Sequence, residues 1–330
     1  VLTTGAIDVV RQEFPHVRQH FISTPEGEEL LKGLPLETRL VFAKSRTGLI
    51  GMAKIKRTLR SLSLNKKSTL IIQPHRSARS SLLSRFLGFP VLTYRESSLS
   101  FLATLALPRL AVFHEVQRIA LLLEALGVKR EKLLACRPTL QALPLLPEVP
   151  WQRELARFQG TLVGLAVGTQ WGTKRWPLAS YIELAKILGA RPHTALVLIG
   201  SRSEQGLADT LAAKLKDSHA QLWNLVGVTN FDDLRRLFPR LDLLISNDSS
   251  PVHFASAFNV KSLVVFGSTT PSLGFGPLAE GSRVVENSLP CRPCSDHGPQ
   301  LCPLGHFACM RGISVEKMAT LALTMLQGAE

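Results

Sequence analysis

With 330 residues, 45% of them hydrophobic and 19% charged, the chain carries enough apolar material for two packed cores, which excludes both a disulfide-stapled miniprotein and a disordered polymer. Thirty-nine Lys and Arg stand against 25 Asp and Glu for a formal net charge of +14, and the excess is local: residues 1–150 hold 22 basic and 11 acidic side chains, residues 151–330 hold 17 and 14. From Thr38 to Arg95 there are thirteen Lys or Arg and no acid, so an anionic partner is expected for the first half.

The chain opens on Val1-Leu2-Thr3-Thr4-Gly5-Ala6-Ile7, which reads as a loop running into a helix, so a first strand is expected ahead of Val1. Strands are predicted at Leu40-Val41-Phe42, Thr69-Leu70-Ile71-Ile72 and Pro90-Val91-Leu92, with amphipathic stretches between them. The apolar run at 99–112 is broken by Pro108 and Arg109 and is shorter than the roughly 18 to 20 residues of a membrane span. Residues 137–150 hold Pro138, Pro144, Pro147 and Pro150 and are predicted to link two domains, 1–150 and 151–330. In the second half, apolar runs ending at Val167, Ile199, Ile245 and Phe266 each give way to a Gly, Ser or Asn turn, and helices are predicted at 178–188 and 203–215. Strands alternating with helices imply parallel α/β sheets, whose ligands bind beyond the carboxyl ends of the strands.

Three of those ends carry suitable groups. After Val167 comes Gly168-Thr169-Gln170-Trp171-Gly172-Thr173-Lys174-Arg175-Trp176-Pro177, a glycine-bearing loop with hydroxyls and two cations, closed by a Pro suited to a first helical turn; it reads as a phosphate loop or as an ordinary strand-to-helix turn. After Ile199, Glu204 opens a helix, as a ligand for sugar hydroxyls or merely as a match to the helix dipole. After Ile245, Asp248, Ser249 and Ser250 are predicted at a helix start with His253 on its first turn, where unpaired N–H groups favour a phosphate and where a simple cap is the plainer alternative. Three such ends in one domain suit a nucleotide sugar.

The segments 168–177, Ser246-Asn247-Asp248-Ser249-Ser250 with His253, and Phe266-Gly267-Ser268-Thr269-Thr270-Pro271 also occur in a known order. With His114-Glu115-Val116, Leu126-Gly127, Cys291-Arg292-Pro293-Cys294, Cys302-Pro303-Leu304-Gly305-His306 and Cys309-Met310, they run along nearly the whole chain. In that order the sequence resembles the ADP-heptose lipopolysaccharide heptosyltransferases, most closely the heptosyltransferase II branch. The resemblance implies a GT-B architecture of two Rossmann-like domains facing across a cleft, acceptor on the first and nucleotide sugar on the second. It implies an inverting transfer of heptose from ADP-heptose to the inner core of lipopolysaccharide, onto a lipid A-Kdo-heptose acceptor, with no cofactor required. Carried over by position, Thr169 and Lys174 contact the donor phosphates, Glu204 the adenosine side, and Asp248, Ser249, Ser250 and His253 the phosphate and heptose. The family has Gly where this chain has Ser250 or Pro251, and its proposed general base, an Asp in a Gly-Asp pair, falls ahead of Val1.

An acidic glycolipid acceptor would account for the cationic first half. Arg76 and Arg79, just after the Ile71-Ile72 strand, are the candidates for its acidic groups; Lys54, Lys56, Arg57 and Arg60, with Met52, Ile55 and Leu59 between them, are expected to form a basic amphipathic turn on an anionic membrane face. An odd count of five cysteines and no secretory signal make the cytoplasm the default location, peripheral on the inner membrane. Cys291, Cys294, Cys302 and Cys309 have the ligand types for a structural zinc, although their spacing is not that of a common zinc ribbon. Two other readings compete: a GT-B relative that binds a nucleotide sugar without transfer, and a basic nucleic-acid-binding protein. The second lacks any recognised motif and has two Tyr, so no nucleic-acid partner is expected.

Overall fold

The computed structural model describes residues 1–42, 48–216 and 220–327, with Leu49 described by its backbone alone. The chain divides into two compact units, Leu2–Pro138 and Thr139–Glu330. The division falls after Pro138 rather than at 150, because residues 139–150 are tied into the second unit. Arg235 Nε donates to the carbonyl of Gln141 at 2.8 Å and Arg236 Nε to that of Pro144 at 2.9 Å, while the Leu143 amide donates to the Arg235 carbonyl at 3.2 Å. The prolines prevent regular structure there without preventing packing.

In the first unit, strands β1 (His20–Ser23) and β2 (Thr38–Val41) pair in parallel. Strands β3 (Ile71–Ile72), β4 (Val91–Tyr94) and β5 (Leu105–Leu107) form a second parallel sheet in chain order. Helices Gly48–Ser61 and Ala78–Leu87 share a core in which Ile55 and Leu59 meet Leu83 and Leu87, with Met52 packed against it. Ile55 and Leu59, expected between the cations on an amphipathic outer turn, point inward instead, and each such side chain contributes about 1.5–3 kcal/mol by leaving water. Helix Ala78–Leu87 starts on the Ser77 hydroxyl, which accepts from the Ser80 amide at 3.3 Å, and stops at Gly88, whose φ of 82° suits the left-handed cap a glycine takes without strain. Lys44 and Arg46 of the acid-free stretch lie outside the described residues.

The second unit holds six parallel strands: β6 (Thr161–Ala166), β7 (Thr194–Leu198), β8 (Gln221–Asn224), β9 (Leu243–Asn247), β10 (Ser262–Phe266) and β11 (Arg283–Glu286). Their order across the sheet is β8, β7, β6, β9, β10, β11, the arrangement in which the chain starts in the middle, builds outward one way, then returns to the middle and builds the other way. The four central strands are buried on both faces, which is why they read as continuous apolar runs. Alternate residues separate those faces. Val163, Leu165, Ile245 and Val265 pack with helices Leu178–Gly189 and Val315–Gln327, whereas Val264 and Phe266 pack with Val252 of helix Ser250–Ala257. Helices after β6 and β9 therefore lie on opposite faces, and a crevice opens between the carboxyl ends of these two neighbouring strands. No helix among the described residues is long and apolar enough to cross a membrane.

Candidate functional site

The crevice beyond β6 and β9 collects the polar groups of the second unit. The loop after β6 is pinned by Asn247, the last residue of β9, which is fully buried. Its Nδ2 donates to the carbonyls of Val167 at 3.1 Å and Gly168 at 3.3 Å, and its Oδ1 accepts from the Trp176 amide at 2.9 Å. Trp176 is itself fully buried, its indole Nε1 donating to the Ile313 carbonyl at 3.1 Å. Loop 168–177 is thus anchored at both ends by one side chain, and Lys174 projects from a loop with little freedom.

Lys174 Nζ meets Asp248 Oδ2 at 2.7 Å, with side-chain exposures of 13% and 8%. Thr269 Oγ1, from the turn after β10, donates to the same oxygen at 2.7 Å. Ammonium, carboxylate and hydroxyl from three strand ends so converge where water is largely excluded and charge interactions are less screened than at the surface. Thr169 is buried at the start of the loop, its carbonyl accepting from Arg175 Nη2 at 3.2 Å. Helix Ser250–Ala257 starts beside Asp248, with Ser249 in extended conformation as its N-cap and Pro251 within the first turn. Ser249 gives no side-chain bond to that turn; its hydroxyl lies 3.3 Å from that of Ser246. The positive end of the helix and its first-turn N–H groups are arranged for an anion. Ser250 and Pro251 fit here because Pro suits a first turn and Ser250 is exposed. His253 is the fourth residue of the helix and closes its first turn, half-buried with its ring 6.3 Å from that of Phe275.

Glu204 stands at the carboxyl end of the neighbouring β7. Its Oε2 accepts from the amide of Ser201 at 2.6 Å and from the Ser201 hydroxyl at 2.8 Å, the reciprocal capping expected of a helix start. The carboxylate also lies over Gly168: a Cβ there would sit 2.0 Å from Oε1. Glu204 thus caps and at the same time leans toward the loop after β6. Thr169, Lys174, Glu204, Asp248, Ser249, Ser250 and His253 all belong to this one end of the sheet. Arg76 and Arg79 belong to the other unit, exposed beside the start of helix Ala78–Leu87 after β3.

Several residues without a sequence-derived role complete the rim. The hydroxyls of Thr173 and Ser268 are 2.9 Å apart. Segment 291–305 lies against both their loops: the Cys294 amide donates to the Ser268 carbonyl at 2.8 Å, and Gln300 accepts from the Gly172 amide at 3.1 Å while donating to the Gln170 carbonyl at 3.0 Å. Arg292, with a side chain 4% exposed, donates to the carbonyls of Asn287 and Thr269 at 2.7 Å each and pairs with Glu286 at 2.8 Å. Cys291, Cys294, Cys302 and Cys309 are free thiols, and among the described residues no three His, Cys, Asp or Glu are grouped so as to hold a metal ion. Burial pushes the thiols of Cys294 and Cys309 up, whereas the amides of residues 304–307 hold Cys302 below the ordinary thiol value.

The profile of glycosyltransferase family 9 (heptosyltransferase) matches residues 52–304. Lipooligosaccharide heptosyltransferase 2 of Campylobacter jejuni subsp. jejuni serotype O:2 is 28% identical over 201 residues, 60% of this chain and 62% of that protein. Its counterpart in Haemophilus ducreyi is 36% identical over 126 residues, 37% of this chain and 36% of that one. The matched stretch thus spans less than two thirds of the length of these curated relatives. Among solved structures, the family 9 glycosyl transferase of Veillonella parvula superposes with a TM-score of 0.83 at 20% identity, covering 99% of this chain and 94% of that one. The ADP-heptose LPS heptosyltransferase II of E. coli superposes with a TM-score of 0.78 at 19% identity, covering 99% and 95%. The fold is the α/β GT-B class.

Proposed function

The chain belongs to glycosyltransferase family 9, and we propose that it transfers heptose from ADP-heptose to the inner core of lipopolysaccharide, with inversion and without a metal ion. The observation that supports this most is the convergence of Lys174, Asp248 and Thr269 beyond the central strands, beside the start of helix Ser250–Ala257. As the bond between the anomeric carbon and the diphosphate breaks, negative charge collects on the departing phosphate oxygen. Lys174 supplies the neutralising cation there, and the first-turn amides with the hydroxyls of Ser249 and Ser250 supply donors fixed before the reaction begins. Asp248 holds the ammonium in place until the more highly charged diphosphate competes for it. Glu204 accepts hydrogen bonds from the donor's ribose, Thr169 contacts its phosphates and His253 faces the heptose. Inversion needs a base on the acceptor hydroxyl, a role given to none of these donor-side groups. On the first unit, Arg76 and Arg79 hold acidic groups of the acceptor.

ADP release from ADP-heptose is to be followed with lipopolysaccharide whose core is truncated after its first heptose, the lipid A-Kdo-heptose acceptor. Acceptor-dependent release is expected, with kcat lower by about 10²- to 10³-fold in Lys174→Ala, the size of effect seen when a donor to a developing anion is removed. Donor binding without release on any truncated core, with or without its first heptose, would overturn transfer and favour a nucleotide-sugar-binding relative.

A further inference from the structure

The contacts that join Lys174, Asp248 and Thr269 continue into a buried cation to which the proposed reaction gives no part. The side chain of Arg292 is 4% exposed, and its guanidinium underlies the turn that follows β10. Nε donates to the Gly267 carbonyl, Nη2 to the Thr269 carbonyl at 2.7 Å and Nη1 to the Asn287 carbonyl at 2.7 Å. Its carboxylate partner, Glu286 at the end of β11, lies 2.8 Å away and is 41% exposed. One planar fork thus fixes the chain on both sides of Ser268, which the single ammonium of a lysine cannot reproduce. A buried cation is also a costly way to fill that space, since an apolar side chain would pack there without losing hydration. The turn itself is buried, with Ser268 and Thr269 each 1% exposed. Its Thr269 hydroxyl donates to Asp248 Oδ2 at 2.7 Å, the same oxygen that receives the Lys174 ammonium at 2.7 Å.

We propose that Arg292 is a positioning residue for the donor diphosphate: by fixing the turn after β10 it keeps Thr269 on Asp248, and so frees Lys174 to leave Asp248 for the phosphates. The physical problem is a buried acid that must change partners. When a diphosphate draws the ammonium away, Asp248 retains its charge on a side chain 8% exposed, where an acceptor short of donors carries a desolvation penalty. The Thr269 hydroxyl is the donor that stays. It can stay only while the turn holds its oxygen in place, and the carbonyls of Gly267 and Thr269 on Arg292 do that holding. Without the guanidinium, Asp248 depends more on Lys174, and a diphosphate must pay more to detach it. Arg292 therefore acts on anion binding through Thr269 and touches no ligand. The inference rests on the proposed donor site and deepens it with a residue of segment 291–305, outside every strand-end loop.

The test is a double-mutant cycle read as the Kd of ADP on the intact chain, with Arg292→Lys, Thr269→Val and both together. Thr269→Val, which keeps the volume and removes the hydroxyl, is expected to weaken ADP about tenfold, the equivalent of one hydrogen bond to a charged group. Arg292→Lys alone is expected to weaken it by a similar factor, and the double variant no more than about twofold beyond Thr269→Val. Glu286→Gln, on a half-exposed edge strand that tolerates the change, repeats the cycle should Arg292→Lys fail to fold. Its expected effect is about threefold, present with Thr269 and absent with Val at that position. Factors that simply multiply would overturn the inference by showing a staple for segment 291–305 that acts independently of Thr269, as would wild-type affinity in Thr269→Val. ADP release with the truncated acceptor, measured on wild type, separates the two readings. A coupled cycle without acceptor-dependent release sinks transfer and leaves Arg292 its role, whereas multiplying factors with normal release do the reverse. Absence of ADP binding by wild type would overturn both.

Discussion

At the scale of single residues, the candidate site beyond β6 and β9 depends on a few side chains that each hold two segments together. Gly168 shows how little room there is. Since a Cβ would meet the Glu204 carboxylate at 2.0 Å, Gly168→Ala must push that carboxylate away from the loop after β6. The obstructing atoms are the end of a flexible side chain, so stability should fall by less than about 1 kcal/mol, while KM for the donor should rise about tenfold, the equivalent of one hydrogen-bonded contact. Steady-state kinetics beside a urea melt separates the two. The cysteines give a second prediction with a definite sign. Backbone amides hold Cys302 below the ordinary thiol value, whereas burial raises Cys294 and Cys309 and pushes Cys136 up to about 11. The thiolate is the nucleophile, so brief iodoacetamide treatment at pH 7 should alkylate Cys302 well before Cys136, Cys294 or Cys309, as peptide mass spectrometry will show. Preferential labelling of Cys309 would contradict the described backbone around 304–307.

At the scale of elements, the sheet of the second unit and the loop it carries form one piece. Trp176 ends that loop, is fully buried and reaches the Ile313 carbonyl just ahead of helix Val315–Gln327. Trp176→Ala should therefore cost about 3–5 kcal/mol in chemical denaturation and loosen Lys174 as well, lowering ADP affinity even where the fold survives. Most of these elements were legible beforehand. Strands β6, β7, β9 and β10 are buried on both faces and stand out as apolar runs, and the groups after them could be located by counting from the strand ends. Strands β8 and β11 were not legible because they are edge strands whose ends, Gln221, Asn224, Arg283 and Glu286, are polar; β5 was hidden inside the apolar stretch at 99–112. The partnerships of Asn247 with loop 168–177 and of Thr269 with Asp248 join segments far apart in the chain. Only the pairing of β6 with β9, and of β9 with β10, brings them together.

At the scale of the molecule, the sequence's charge asymmetry survives into the structure with a different meaning for its parts. The cations at 54–60 remain outside, but the apolar residues between them are core, so what read as one amphipathic surface is a cationic exterior over a packed interior. The domain boundary also shifts, since prolines at 138–150 forbid helix and strand yet leave carbonyls that Arg235 and Arg236 engage. The less charged second unit carries the crevice on which the functional account rests. Titration of ADP into the intact chain by calorimetry, repeated with Lys174→Ala and Arg76→Ala, tests that account most directly. Binding by wild type, weakened tenfold or more in Lys174→Ala and unchanged in Arg76→Ala, is the predicted result. Absence of ADP binding, or equal affinity in wild type and Lys174→Ala, would contradict a nucleotide-sugar site at the carboxyl ends of β6 and β9.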